Sequence, residues 1–227
     1  MAEAADPTDS PDPSNLPEQT NLPDLAATPG HAATPGQTIG PFYGFALPYP
    51  RDSELVAPGT PGAIRLHGTV LDGAGQPVPD AMVEIRQADA AGRVPAIEGS
   101  IRRDGSTFTG WGRCAVDPGG RYGFTTVRPG ATDEGAAPFF ALTVFARGLQ
   151  NRLFTRAYLP GNEAALGADP LLASLAPDRR DTLMAVAEVS AEDAGNQSRG
   201  GPSDLRFDVH LQGDRETVFL TFPRHRP

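Results

Sequence analysis

The 227-residue chain carries 28 acidic and 19 basic residues, so its formal net charge is −9. Every basic residue is Arg, and six of the acidic residues lie in residues 1–30, which leaves the remainder at only −3. Neither part has the positive field that attracts a phosphate backbone, so the composition argues against nucleic-acid binding. A single cysteine excludes an internal disulfide. The chain shows no signal-peptide pattern and no long apolar run, so we expect a cytoplasmic protein without a membrane partner.

Residues 1–33 are predicted to be a disordered acidic tail. The first thirty residues contain six prolines and no aromatic residue, and such a segment buries too little apolar surface to offset the entropy of ordering it. Residues 34–62 are predicted to be an extended arm and lead-in, because residues 37–45 are rich in aromatic residues, Gly and Pro and form a helix poorly. The arm packs either on a partner subunit or on its own domain, and the pattern leaves both alternatives open.

Residues 63–227 are predicted to form one domain of antiparallel strands. Apolar residues alternate with polar ones in the first strand, where Ile64, Leu66 and Val70 fall on one face. Turn-forming residues separate further candidate strands at 81–88, 107–116, 121–127, 139–146, 152–159, 205–212 and 217–222. Many short strands with frequent turns indicate an antiparallel β-sandwich or a barrel.

Helix is expected in two places within this domain. One helix is predicted to run from Asp178, as its N-cap, through Val186, where good helix formers follow the cap. A shorter helical turn is predicted around 162–174. Both are short, so strands dominate the predicted fold.

No group of residues indicates an active site that this chain could operate alone. The four histidines form none of the spaced pairs that are typical of metal sites. Asp208 and His210 share one strand face and would supply two metal ligands, although such pairs are far more often solvated. Cys114 follows Arg113, which would favour a reactive thiolate. The alternative, a small buried core cysteine, is the one we favour.

Arg147 is the polar residue that most suggests binding. It ends an apolar run, F-A-R-G-L at 145–149, and the planar guanidinium group matches a carboxylate in geometry and charge. A surface ion pair with Asp or Glu is the alternative, and the spacing alone favours that alternative.

Six segments taken together resemble the intradiol ring-cleavage dioxygenases. They span residues 34–222 and read T-P-G-Q-T-I-G-P-F (34–42), G-T-V-L-D-G-A-G-Q-P-V-P-D-A-M-V-E-I-R-Q-A-D (68–89), G-R-Y-G-F-T-T-V-R-P-G (120–130), F-A-R-G-L (145–149), T-R-A-Y-L-P-G (155–161) and R-F-D-V-H-L-Q-G-D-R-E-T-V-F-L-T-F (206–222). The resemblance implies an all-β fold, a prealbumin-like antiparallel β-sandwich with one or two short helices and an extended N-terminal arm.

The same resemblance identifies where the family's iron ligands would fall. Iron-bearing members hold Fe(III) with two Tyr and two His, which are suitable ligands for this ion. At the corresponding positions this chain has Val94, Thr132 and the run Phe139-Phe140-Ala141, in which Phe139 and Ala141 replace the two histidines. Only Thr carries a donor atom, and it is a poor ligand for ferric iron. The resemblance therefore implies a subunit that binds no metal.

Within the family, the chain is similar to the iron-free α subunit of a hetero-oligomeric member. This similarity implies a homologous β subunit that holds Fe(III) and cleaves protocatechuate with O2 between the two hydroxylated carbons, giving 3-carboxy-cis,cis-muconate. The α chain would carry no catalytic residue itself. By position, Thr38, Gly40, Pro41 and Phe42 of the arm would lie at the mouth of the partner's site. Arg147 would contact either the substrate carboxylate or the subunit interface.

Two other functions remain open at this point. In the first, the chain is a non-catalytic prealbumin-like binding or structural domain. In the second, it is a subunit of another intradiol catechol dioxygenase. A prealbumin-like domain shares the turn pattern of residues 68–85 but has no need of the 34–42 arm or of F-A-R-G-L. A neighbouring reading frame that carries the Tyr, Tyr and H-x-H set would favour the hetero-oligomeric enzyme.

Overall fold

A computed structural model describes residue 40 and residues 42–97, 103–104, 106–188 and 204–223 of the chain. These residues belong to one unit, residues 36–227. The predicted tail, residues 1–33, lies outside the described residues, and its disorder stays a prediction.

The described residues form two β-sheets. The first contains β1 (Ala63–Leu71), β4 (Arg121–Val127), β7 (Val186–Glu188), β8 (Asp204–Arg206) and β9 (Val209–His210). Its order is β4-β1-β8-β7, with β9 also pairing with β1. The second contains β2 (Met82–Arg86), β3 (Trp111–Ala115), β5 (Phe139–Phe145) and β6 (Leu153–Tyr158), in the order β3-β2-β5-β6.

Side chains from both sheets meet in one apolar core. Leu66 of β1, Ile85 of β2 and Leu142 of β5 are each at most 1 % exposed and belong to the same cluster. The period-two pattern that predicted β1 is thus the pattern that buries one of its faces. The predicted all-β sandwich is confirmed.

One feature of the strand pairing differs from the predicted antiparallel arrangement. The β1 strand runs parallel to β8 and β9, with Leu66 opposite Leu205 and Val70 opposite Val209. Parallel partners require a long crossover connection, and β8 follows β1 only after most of the chain has passed. The other pairings, β1–β4, β2–β3, β2–β5, β5–β6 and β7–β8, are antiparallel.

The helical turn predicted around 162–174 is confirmed as two short helices, α2 (Glu163–Ala168) and α3 (Pro170–Ala173). The side chains of Asn162 and Asp169 cap their first turns by accepting backbone N–H bonds. Among the described residues no helix is both long and apolar enough to cross a membrane.

The helix predicted from Asp178 through Val186 is wrong in its extent. The observed helix, α4, spans only Pro177–Asp181, and Asp178 lies in its first turn and is not its N-cap. The Thr182 hydroxyl donates to the carbonyl of Arg179 and the chain turns there. Met184 then bridges to Tyr158, and Val186 begins β7. Pairing with existing strands therefore overrides the local helix propensity.

Three of the predicted strands are also shorter or interrupted. The segment 107–116 is a strand only at Trp111–Ala115, and 205–212 is divided between β8 and β9. Residues 217–222 form no regular strand, because their backbone groups bond to separate partners. Thr217 N donates to His210 O, and Leu220 N donates to Phe154 O at 2.7 Å.

The arm also departs from the extended conformation predicted for it. Residues 43–46 form a one-turn helix, α1 (Tyr43–Ala46). The side chain of its N-cap residue, Phe42, makes no capping hydrogen bond. The Phe42 carbonyl instead accepts hydrogen bonds from the backbone amides of Phe45 and Ala46. The Tyr43 ring packs 5.8 Å from the ring of Phe145. This tertiary contact fixes a turn that composition alone disfavours.

Candidate functional site

Arg147 lies directly after β5, where its side chain pairs with Asp80. The Arg147 Nε atom is 3.2 Å from Asp80 Oδ2, and the Arg147 side chain is still 64 % exposed. Asp80 precedes β2, and the pairing of Met82 with Phe145 brings Asp80 and Arg147 to the same end of these two central strands. The predicted surface ion pair is therefore present. The Arg147 side chain nevertheless remains largely exposed.

Tyr43 of the arm joins this pair. Burial raises the pKa of Tyr43 to about 12, and the nearby Asp80 charge adds to this rise while Arg147 opposes it. The Tyr43 hydroxyl and Asp80 Oδ1 are both buried, and neither has a hydrogen-bond partner among the described residues. Unpaired buried polar atoms are unusual in proteins. The first helix of the arm is thus anchored beside Arg147, with polar groups left unsatisfied there.

The outer side of the arm is apolar and exposed. Phe42 is 76 % exposed, Phe45 84 % and Leu47 41 %. Gly40 is half-buried, and a Cβ atom there would make only ordinary contact with the Phe42 ring. The described chain itself therefore does not require glycine at position 40. Thr38 and Pro41 lie outside the described residues.

The positions assigned to the family's iron ligands converge on one cavity. Val94, Thr132, Phe139 and Ala141 all line a cavity of about 130 Å³. The remaining lining residues come from the end of β2 and from two loops: Arg86, Gln87, Ala88, Gly130, Ala137 and Pro138. Phe140, between the two replaced histidine positions, is fully buried in the core instead. The alternation of β5 thus separates the cavity face from the core face.

Tight loop packing brings these distant positions together. Gly130 N donates to the carbonyl of Asp89, and a Cβ on Gly92, whose φ is +82°, would overlap the carbonyl oxygen of Ala131. The loop that precedes Val94 therefore lies directly against the loop that carries Thr132. Glycine is required at position 92 both by its backbone angle and by this close approach.

The cavity does not fit an iron ion. Its lining supplies no imidazole, phenolate or carboxylate, and a threonine hydroxyl alone cannot hold Fe(III). Nor do the described ranges contain a group of three or more His, Cys, Asp or Glu side chains placed to hold a metal. No step of a reaction is therefore assigned to iron on this chain.

Two other sequence candidates serve structural roles. Burial raises the pKa of the Cys114 thiol, and Arg113 is committed to Glu84, whose Oε1 lies 2.6 Å from Arg113 Nη2. The unreactive core cysteine is therefore the better description of Cys114. Asp208 accepts hydrogen bonds from the amide of Thr69 at 2.9 Å and from the guanidinium of Arg206 at 2.6 Å. Its two carboxylate oxygens therefore connect β1 to the chain between β8 and β9, and they are not directed with His210 to a metal.

Sequence reasoning did not identify Asp80 or Tyr43. Asp80 sits in a run of turn-forming residues, P-V-P-D, and Tyr43 in the aromatic run of the arm. A turn explains the first run and packing of aromatic rings explains the second, so neither pattern by itself indicates a binding role. Only the sheet register, which places residue 80 beside the end of β5, reveals their relation to Arg147.

Comparisons with known proteins agree with this geometry. A family model described as Dioxygenase matches residues 39–213, a range that includes most of the arm residues and Arg147. The chain is 37 % identical over 196 residues to the protocatechuate 3,4-dioxygenase alpha chain of Burkholderia cepacia, covering 81 % of this chain and 94 % of the relative. It is 33 % identical over 153 residues to the beta chain from the same organism, covering 64 % and 63 %.

A solved structure shares the fold. It is the dioxygenase domain of a dioxygenase and carbohydrate-binding protein fusion from Streptomyces sp. SirexAA-E, with a TM-score of 0.50 and 23 % identity, covering 71 % of this chain and 87 % of that one. Because the family model and the alpha-chain relative both cover most of the sequence, the fold and the family rest on the whole domain and not on one motif. The chain belongs to the iron-dependent intradiol dioxygenase family.

Proposed function

We propose that this chain is the iron-free α subunit of an intradiol dioxygenase that cleaves protocatechuate. One observation carries the proposal: the four positions of the family's iron ligands form a single cavity, and none of them supplies a usable ligand. A subunit with that cavity has a role in the reaction only beside a chain that keeps the ligands. The similarity to both an alpha and a beta chain of one enzyme supports such a pair.

The iron-dependent chemistry is assigned to the partner β subunit. Fe(III) held there would supply the activation of protocatechuate towards O2, and the ring would open between its hydroxylated carbons to give 3-carboxy-cis,cis-muconate with both oxygen atoms incorporated. The present chain contributes shape and charge at the mouth of that site.

The arm is proposed to reach the partner's site. Thr38, Gly40, Pro41 and Phe42 would lie along its mouth, where a threonine hydroxyl donates to a carboxylate and glycine permits close backbone approach. The exposure of Phe42 supports this role, because Phe45 and Leu47 of the same arm are exposed as well, and several exposed apolar residues on one segment are typical of an interaction surface. The domain division into a tail (1–33), an arm (34–62) and a sandwich (63–227) is part of the same proposal.

Arg147 is proposed to attract and orient the substrate carboxylate. Its guanidinium is exposed, charged and tethered at one edge by Asp80. The side chain is 64 % exposed despite this tether, and it lies near enough to Tyr43 of α1 to influence its pKa. A charge-assisted hydrogen bond from such a group is stronger than one between neutral partners.

The chain by itself is expected to bind no stoichiometric iron, because the lining of the cavity contains no suitable donor set. Elemental analysis of the purified chain, expressed with iron in the medium, tests this directly. The β subunit, expressed in the same way, serves as the positive control. A coloured preparation of this chain alone with one iron per molecule would contradict the proposal.

Replacing Asp80 by Asn is expected to lower kcat/KM of the assembled enzyme by roughly two- to fivefold, because an exposed ion pair contributes about 1 kcal/mol or less. Asn keeps the shape of Asp but releases Arg147 from its tether. The control is the same substitution in an Arg147→Ala background, where it should have no further effect. Equal effects of Asp80→Asn in both backgrounds would show that Asp80 does not act through Arg147.

A further inference from the structure

The arm crosses the outer face of the second sheet, which points away from the core. Val83 and Ile85 of β2 belong to the apolar core, so the alternation of the strand directs Met82 to the opposite face. Met82 is nevertheless fully buried. The Tyr43 ring of α1 packs on Phe145, the residue that pairs with Met82 in the sheet. The arm thus contributes to the cover over this face.

Arg113 binds the end of α1 at the next row of the sheet. It pairs in register with Glu84, and its Nη1 atom donates to the carbonyl of Leu47, the C-cap of α1, at 2.8 Å. Its Nε and Nη2 atoms donate to Glu84 Oε1 at 3.0 and 2.6 Å. The Arg113 and Glu84 side chains are only 11 % and 19 % exposed, so water and salt screen this ion pair weakly. One guanidinium group therefore joins the end of the arm helix to the sheet.

Tyr49 fixes the chain just beyond this contact. Its ring stacks on that of Trp111, with centroids 6.4 Å apart and an interplanar angle of 10°. The Arg113 guanidinium carbon lies 5.1 Å from the centroid of the Trp111 ring. The Tyr49 amide donates to Asp52 Oδ2 at 3.3 Å, and the Arg113 amide donates to Asp52 O at 2.9 Å. The arm is thus held at three successive points along the sheet, at Phe145, Arg113 and Trp111.

We propose that Arg113, oriented by Glu84, is a positioning residue that holds α1 in its binding orientation before the β subunit arrives. A largely buried ion pair adds little net stability, because both charges lose hydration, whereas the planar fork of Arg fixes direction. Held at Leu47, the helix keeps Phe42 and Phe45 exposed. A surface that is already ordered loses less conformational entropy on association. This inference rests on the proposed function, in which the arm meets the partner.

Hydrogen exchange measured by NMR on the full chain tests the clamp without the partner. The amides of Phe45, Ala46 and Leu47 donate to carbonyls within α1 and its N-cap, so their exchange rates report on local order. The double variant Glu84→Met/Arg113→Met removes the donor to Leu47 and leaves no lone buried charge. Its stability should stay close to wild type, because apolar replacement of a buried ion pair is often neutral. We expect these three amides to exchange about tenfold faster, since a hydrogen bond from a charged group is lost, and amides of β1 and β5 to exchange as before.

Two further variants make this test specific. Arg121→Met removes an Arg that is 76 % exposed on β4 and should leave arm exchange unchanged. Arg113→Lys keeps the charge beside Glu84 but loses the planar fork, so it should accelerate arm exchange less than the double variant does. Thermal unfolding shows whether each variant folds, and Arg113→Lys carries the test if the double variant does not. Wild-type arm exchange in the folded variant would overturn the clamp.

Assembly with the β subunit tests the consequence for the partner. The double variant is expected to raise the dissociation constant about tenfold, which corresponds to the conformational entropy of fixing roughly one residue. Phe45→Asp, which alters the exposed surface and not the clamp, is the comparison. Weakened assembly in Phe45→Asp but not in the double variant would overturn the positioning role and leave the proposed function standing. Wild-type assembly in both variants would refute the proposed role of the arm as well.

Discussion

Replacing Arg147 by Ala in the assembled enzyme is expected to lower kcat/KM for protocatechuate by roughly 10- to 100-fold. The magnitude follows from a hydrogen bond to a charged group, which contributes about 1.5–3 kcal/mol. The Lys variant keeps the charge but loses the planar fork of donors, so we expect it to recover only part of the loss. The iron content of the complex should not change, because no residue near Arg147 is assigned to a metal.

The comparison of two substrates isolates the carboxylate contact. Catechol lacks the carboxylate, so Arg147→Ala should alter its turnover little while the turnover of protocatechuate falls. Arg121 offers a matched control: its side chain is 76 % exposed and its nearest carboxylate oxygen, on Asp117, lies 3.9 Å away. An equal loss for both substrates would mean that Arg147 acts through the subunit interface and not on the substrate.

The sequence predicted the strands of the core well because their period-two alternation directly reflects burial. The pattern in β1 is a clear case, since Leu66 and Val70 are fully buried and their neighbours are not. Helix extents were predicted less well. The helix predicted from Asp178 through Val186 instead begins at Pro177 and ends at Asp181. The residues that follow are drawn into a bridge between Met184 and Tyr158, a contact that is remote in sequence. Local propensity contains no information on such a partner.

In the candidate site, too, residue identities could be predicted from the sequence, whereas contacts between remote residues could not. Substitution of the ligand positions by residues such as Val94 and Ala141 was evident from the resemblance, since it needs only residue identities. That these positions line one cavity depends on the packing of the loops that carry Val94 and Thr132 beside β5. The pairing of Arg147 with Asp80 depends on register. Register follows from the assembled sheet and is not encoded in a motif.

Replacing Phe45 by Asp is expected to weaken assembly with the β subunit by roughly a hundredfold. Phe45 is 84 % exposed and lies on α1, whose other side is fixed by Tyr43 against the domain. An exposed aromatic residue on an anchored helix is suited to bury its ring in a partner. Burying a Phe ring contributes about 1.5–3 kcal/mol, and Asp at the same place would also leave a charge in an apolar contact.

The stability of the chain itself provides the internal check. Because Phe45 makes little contact with its own domain, Phe45→Asp should change the free energy of unfolding of the isolated chain by only about 0.5 kcal/mol or less. Val186→Asp, on an apolar position that is 61 % exposed but belongs to β7, is the matched control for assembly. Sedimentation velocity of equimolar mixtures gives the dissociation constants. Wild-type affinity in Phe45→Asp would place the interface elsewhere, whereas a selective loss would assign the exposed face of α1 to the partner subunit.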